Sequence, residues 1–406
     1  MSQISIRQAR TFLAAAKHST ISGAAKAINR SQTSVTKSLQ DLERELGVEL
    51  FDRSSMGITL TVYGKALERA ANEAAAAFER AGELVPPVHM RESSSVARFF
   101  QMDVSGKWLD ALLATAEQQS LMGAAKQLSV TTAAVSANLR KLEDTLHTTL
   151  FERTPTATIP TTYTRTLVRY VKLARSHLRH ACDELSSMKG VKTGRVTIGS
   201  LPFMRTLMLP RAITMMRTSH PYIDVSTLEG RYDDLVVALR CGDIDFLVGA
   251  LRESTSDADL IEEALLEDEL SLIVRSGHPL QDKKTVDWPD LLDCEWILPR
   301  RGTPTRELFE AAIESHYLTL PQHVIETSST VLLRGLLMET DYVTVLSRHQ
   351  IFYEEKAGML VALPFELPKT RRPIGITLRA HTSVAPAAKL LIDDLRVVVA
   401  KILEAP

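Results

Sequence analysis

One segment of this chain occurs twice. Ser22 to Arg53 reads SGAAKAINRSQTSVTKSLQDLERELGVELFDR, and Met122 to Arg153 reads MGAAKQLSVTTAAVSANLRKLEDTLHTTLFER. Set side by side without gaps, 100 positions apart, they share Gly23/Gly123, Ala24/Ala124, Ala25/Ala125, Lys26/Lys126, Val35/Val135, Leu39/Leu139, Leu42/Leu142, Glu43/Glu143, Leu46/Leu146, Leu50/Leu150, Phe51/Phe151 and Arg53/Arg153. A self-match at fixed spacing means a unit that folds the same way each time. Most shared positions are apolar or small, as a retained core requires.

In the first copy Ala24, Ala25 and Ile28 form one apolar stripe. Val35, Leu39, Leu42 and Leu46 form a second, also at helical spacing. Asn29, Arg30 and Ser31 supply turn residues between them, with Ser31 placed to cap the next helix. Two short helices joined by a tight turn make a helix-turn-helix. With the second stripe facing inward, Gln32, Thr33, Thr36, Lys37 and Gln40 face outward. Glutamine pairs bidentately with adenine, and lysine reaches guanine or a phosphate. FDRSSMGITL then predicts two short strands around Gly57, a wing with Arg53 at its base in reach of a phosphate. The plain alternative is a helical hairpin with a solvated polar face.

AAKAINRSQTSVTKSLQDLERELGVELFDR, followed by LTVYG, resembles the winged helix-turn-helix of LysR-type transcriptional regulators. The resemblance implies a sequence-specific regulator of double-stranded DNA, with Ser31, Gln32, Thr33, Thr36, Lys37, Gln40 and Arg53 turned toward the duplex. It also implies a dimerising helix after the wing and a homo-oligomer, dimer or tetramer. RNA polymerase is a further expected partner.

The second copy keeps the apolar positions and changes the polar ones. Ser31-Gln32 becomes Thr131-Thr132, which retains a cap and loses the adenine-reading amide. Lys37 becomes Ala137, Gly47 becomes His147, and the wing gains Pro155 and Pro160. Residues 1–60 hold eight basic against five acidic side chains, whereas residues 103–163 hold five against six. Phosphate neutralisation dominates DNA affinity, so the second module is electrostatically handicapped. It is expected to give auxiliary DNA contacts through Thr132, Ser136, Asn138 and Arg140, or to serve dimerisation.

Each wing is followed by a helical stretch. The first carries Leu67, Ala71, Ala74, Phe78, Ala81 and Val85 along one side, which suits pairing with another helix. The second carries Leu167, Val171, Ala174, Leu178, Ala181 and Leu185. Its other face bears Arg165, Arg169, Lys172, Arg175 and Arg179, either a solvated face or electrostatic help near a duplex. Pro86–Phe100 reads as a linker, and Gly190 and Gly194 in MKGVKTGR as a hinge. Expected boundaries are 1–63 for the first winged domain, 64–85 for its helix, 86–102 for the linker, 103–163 for the second domain and 164–190 for its helix.

From Arg195 strands and helices alternate, which predicts an α/β fold with mainly parallel sheets. GRVTIGS, HPYIDVSTLEG, LVVALRCGDIDFLVGAL and EDELSLIVRSGHPL resemble the effector-binding domain of the same family. That resemblance implies two periplasmic-binding-protein-like lobes around a ligand cleft in residues 195–406: lobe one 195–267 with 372–406, lobe two 268–371. Ligands of open α/β sheets bind beyond the carboxyl ends of strands. Ser200, Pro202, Phe203 and Tyr232 are therefore expected on one side of the cleft. Arg300, Arg301, Thr303 and Thr305 are expected on the other, where a helix start and arginines suit an anionic group. An aromatic or sugar-derived acid is the suggested small-molecule effector.

The overall charge of −1 requires nucleic-acid binding to be a local patch. Cys182, Cys241 and Cys294 form no metal or disulfide pattern, which fits a reducing, cytoplasmic setting. No cofactor, metal or membrane is expected, and no GxSxG, Walker, HExxH or dinucleotide motif marks an enzyme. The competing readings are a solute sensor without DNA activity and a protein-interaction adapter.

Overall fold

The computed structural model describes residues 4–54, 57–83, 104–190, 193–252, 258–318 and 323–404. The expected linker over 86–102 and Val85 lie outside them. The N-terminal part builds one order of elements twice. The first pass is α1 (Ile6–His18), α2 (Ile21–Ala27), α3 (Gln32–Leu46), β1 (Phe51–Ser54), β2 (Gly57–Leu60) and α4 (Val62–Glu83). The second is α5 (Gly106–Gln118), α6 (Leu121–Leu128), α7 (Thr132–Leu146), β3 (Phe151–Arg153), β4 (Thr158–Pro160) and α8 (Thr162–Met188).

Local devices repeat with the same spacing. The Ser31 hydroxyl accepts the Ser34 N–H and the Thr131 hydroxyl accepts that of Ala134, both at 3.2 Å, so α3 and α7 start alike. Glu43 and Glu143 accept the N–H groups of Leu50 and Leu150 at 2.9 and 2.8 Å, fixing the path from helix to wing. Ile58 and Thr158 donate to the carbonyls of Ser19 and Gln119, which docks each wing on its first helix. Gly57 is needed for this in the first unit: its φ is 130°, and a Cβ would stand 2.5 Å from the Ser19 carbonyl oxygen. Beneath these devices Val35, Leu39, Leu42 and Leu46 are buried, as are Val135, Leu139, Leu142 and Leu146.

Leu67, Ala71, Ala74, Phe78 and Ala81 of α4 are buried, and so are Leu167, Val171, Ala174, Leu178, Ala181 and Leu185 of α8. The two helices pack on each other, and one continuous apolar core runs through both units from Ile4 to Leu185. The stripe itself requires only another helix or its own domain as cover, and the family resemblance implies a dimerising one; in the structure α8 of the same chain covers it. Covalent linkage holds α8 at high effective concentration beside α4, which favours the intrachain pair.

The remainder forms two five-stranded sheets. One has the order β6 (Ile223–Glu229), β5 (Gly194–Ser200), β7 (Phe246–Ala250), β14 (Arg372–Arg379), β8 (Leu260–Asp268). The other has the order β11 (Val324–Glu326), β10 (Trp296–Leu298), β12 (Val343–Ser347), β9 (Leu270–Arg275), β13 (Leu360–Ala362). Around them lie α9 (Pro202–Arg205), α10 (Met208–Ser219), α11 (Tyr232–Cys241), α12 (Trp288–Leu292), α13 (Pro304–Glu314), α14 (Thr330–Glu339), α15 (Phe352–Lys356) and α16 (Pro386–Glu404).

The sheets are mixed rather than mainly parallel. β5 runs parallel to β6 and β7, and β10 to β11 and β12. β14 is antiparallel to β7 and β8, and β9 to β12 and β13. The reason is the crossing between sheets. β8 passes to β9 with only Glu269 between, and a direct passage without a helix cannot build a parallel βαβ unit.

Candidate nucleic-acid interface and ligand cleft

The buried stripe of α3 turns the opposite side outward. Gln32, Thr33, Lys37 and Gln40 are exposed and Thr36 is half-buried. The Ser31 hydroxyl is occupied as the cap and also receives the Thr33 hydroxyl at 3.2 Å. Arg53 stands at the wing base, half-exposed, with its guanidinium 3.2 Å from the Glu43 carboxylate. Glu43 holds Arg53 in place, and a guanidinium has five N–H donors, so donors remain for a phosphate. An open depression beside α3 is lined by Ser22, Ala25, Lys26, Asn29, Arg30, Ser31 and Gln32. Lys26 and Arg30 thus join the polar surface, although the sequence reading did not single them out as site residues. The available signal was their flanking position just ahead of the α3 cap.

The equivalent surface of α7 is poorer. Thr132, Ala133, Ala137 and Arg140 are exposed, while Ser136 and Asn138 are half-buried. Arg140 is exposed on α7, as is Lys141, and the Arg140 side chain makes no hydrogen bond or ion pair among the described residues.

The basic face of α8 has a different use from the one suggested. Arg169 pairs with Asp259 at 2.9 Å, Lys172 with Asp243 at 2.8 Å and Arg175 with Asp110 at 2.7 Å. Arg179 donates to the Gly242 carbonyl at 3.4 Å. Four of the five cations therefore anchor α8 to the C-terminal part and to α5; only Arg165 remains on the surface without such a partner among the described residues. The same junction buries ionisable groups. His180 lies 2.8 Å from Asp245, and burial pushes its pKa down. His177 lies 3.0 Å from Glu73 of α4, whose other oxygen accepts the Ser383 hydroxyl at 2.9 Å. Burial pushes Glu73 up, but these two partners bring it below the ordinary carboxylate value.

Beyond β5, Ser200 is buried under Arg205, which donates to its carbonyl at 3.1 Å and pairs with Glu229 at 3.0 Å. Pro202 opens α9. Phe203 is buried edge-on to His349, with ring centroids 5.9 Å apart. Arg334 donates to Thr206 at 3.0 Å and pairs with Glu354 at 3.0 Å, a second link between the sheets that the sequence did not reveal. Tyr232 begins α11 beneath the guanidinium of Arg252, 4.6 Å from its ring centroid.

On the other side Arg300 and Arg301 are exposed, and Thr303 donates to the Arg300 carbonyl at 2.8 Å before α13. Thr305 is engaged differently: it accepts from Arg372, which pairs with Asp268 at 3.1 Å, and Ser347 also donates to Asp268. This buried series joins α13 and β12 to β8 and β14. Burial raises the Asp268 pKa even against the pull of Arg372.

A wing-flanked helix with a polar outer face, coupled to a two-sheet domain with strand crossings, defines a DNA-binding regulator with an effector domain. Residues 189–399 match the family described as LysR substrate binding domain. Residues 6–65 and again 107–165 match the bacterial regulatory helix-turn-helix protein, lysR family. The chain belongs to the LysR family of transcriptional regulators. It is 33% identical to the HTH-type transcriptional regulator GalR of Pseudomonas putida over 97% of both chains. The fold is similar to full-length OxyR from Pseudomonas aeruginosa, with a TM-score of 0.55 at 23% identity, covering 73% of this chain and 95% of that one. It is also similar to full-length CbnR complexed with its target DNA, with a TM-score of 0.52 at 19% identity, covering 72% and 99%. The relatives are regulators and not enzymes. Among the described residues no helix is long and apolar enough to cross a membrane.

Proposed function

We propose that the two N-terminal segments, 1–63 and 103–163, are duplicated winged helix-turn-helix domains of unequal roles. In this reading α3 enters the major groove, with Gln32 and Lys37 reading bases and Thr33, Thr36 and Gln40 beside them. Ser31 and Arg53 set the register on phosphates. Thr132, Ser136, Asn138 and Arg140 give auxiliary contacts. The observation that carries the reading is the pair Gln32 and Lys37: both are exposed and free of side-chain partners among the described residues, on a helix whose opposite stripe is fully buried.

The two lobes of 195–406, periplasmic-binding-protein-like in this reading, hold a small effector without any further cofactor. Ser200, Pro202, Phe203 and Tyr232 lie on one side, and Arg300, Arg301, Thr303 and Thr305 on the other. A carboxylate suits the second side, where arginines flank a helix start. Ligand shifts the balance between arrangements of a cytoplasmic homo-oligomer by its differential affinity for them, and RNA polymerase reads the result.

Footprinting of the full-length protein upstream of its own gene, with and without a panel of small aromatic and sugar-derived acids, tests this. Protection whose extent changes with one acid is expected. Protein that ignores every duplex, or protection that no acid alters, contradicts the DNA-reading or the effector part respectively.

A further inference from the structure

The packing of α4 on α8 has a symmetry of its own. Arg69 pairs with Glu184, and Glu73 with His177. As the position advances along α4 it retreats along α8, so the helices run antiparallel. Residue numbers in the two units differ by 100, and the pairs centre near positions 75 and 175. A helix meeting its own repeat-equivalent antiparallel about a common midpoint is the signature of an isologous, twofold contact. Equivalent positions meet the same burial on both sides: Leu67 and Leu167, Ala71 and Val171, Ala74 and Ala174, Phe78 and Leu178, Ala81 and Ala181. Lys189, just past α8, donates to the Leu46 carbonyl at 2.9 Å and so ties the end of α3 to the same body.

We propose that one chain fills the place that two subunits fill in a symmetric dimer, and reads a bipartite DNA site whose inverted halves differ in sequence. The inference rests on the DNA-reading role assigned to α3 and extends it to α7. A pseudo-twofold axis through α4 and α8 relates the outer faces of α3 and α7, and both are exposed. Their chemistry differs: Gln32, Lys37 and Gln40 on one, Thr132 and Arg140 on the other. One half is thus read by amide and ammonium groups, which suit adenine and guanine or phosphate. The other is read chiefly by a guanidinium, which suits guanine. Such a site is not a palindrome, and the matching stoichiometry is one chain per pair of halves.

Selection of binding duplexes from a random pool by the full-length protein, with native mass spectrometry of the complex, tests this. An asymmetric bipartite motif bound by one chain per pair of halves is expected. Lys37→Ala should relax preference about tenfold at a base pair in one half, and Arg140→Ala about tenfold at a base pair in the other half only. A palindrome in which Lys37→Ala alters both halves and Arg140→Ala neither would overturn the inference while leaving α3 as the reader. Two chains per pair of halves would overturn it in the same way. Absence of any selected sequence would remove the DNA-reading role itself, and this inference with it.

Discussion

The two N-terminal units share a backbone and differ in surface. Ser31 and Thr131 cap in the same way, Glu43 and Glu143 hold the same turn, and Ser19 and Gln119 receive the same wing. The second unit keeps this scaffold even where its residue is unsuited: α3 ends at Gly47 with φ 65°, and α7 at His147 with φ 51°. Meanwhile Lys37 has become Ala137 and Gln32 Thr132. The buried stripe and the exposed polar face reside in separate sets of residues on one helix, so a duplicate can preserve the first and alter the second.

The broadest test asks whether the units stand on one core. Phe78→Ala and Leu178→Ala change equivalent positions, 1% and 2% exposed. Each should destabilise by about 2–5 kcal/mol. Denaturant unfolding should show both units losing stability together in either variant; loss confined to the mutated unit would mean that the core is not shared. Next comes the surface. Lys37→Ala should weaken binding about 10- to 100-fold and flatten the salt dependence by about one phosphate contact. Asn138→Ala should change it less than about threefold in the same anisotropy titration.

A smaller effect concerns α8, which makes more ion pairs with the effector domain than α4 does. Asp183 on α8 is pushed up to about 6 by burial and by Asp245, against the pull of Arg179. The folded chain keeps this proton at pH values where the unfolded chain has released it. Stability from this group therefore falls as pH rises from the ordinary carboxylate value to about 6, and stays lower above. Asp183→Asn retains an acceptor for the Arg195 N–H and removes the cost of ionisation. Its melting temperature should exceed wild type by a few degrees at pH 8 and match it at pH 4. Smallest of all, His147→Gly should stabilise by about 1 kcal/mol by relieving the left-handed residue, measured by thermal unfolding.

Short-range features were legible from residues alone. The cap at Ser31, the wing turn at Gly57 and the stripes of α3, α4 and α8 follow from spacing and side-chain type within one or two turns. What was not legible depends on partners far along the chain. The Arg169–Lys172–Arg175 run announces a polar face, but nothing local indicates that Asp259, Asp243 and Asp110 cover it. The α4 stripe requires an apolar cover and does not specify whose. Thr305 reads as a hydroxyl at a helix start, and nothing local indicates that Arg372, 67 positions away, donates to it. Where the two sheets meet, loop position indicated Ser200 and Phe203, yet Arg205, Arg334 and His349 gave no motif.

In the function proposed above, α3 and α7 are equal in fold and unequal in DNA reading. The most direct measurement is the affinity of full-length Lys37→Ala and Asn138→Ala proteins for one duplex protected by the wild type, at a single salt concentration. A loss of at least about tenfold is expected for Lys37→Ala, and a change within about threefold for Asn138→Ala. Equal losses from both would contradict it.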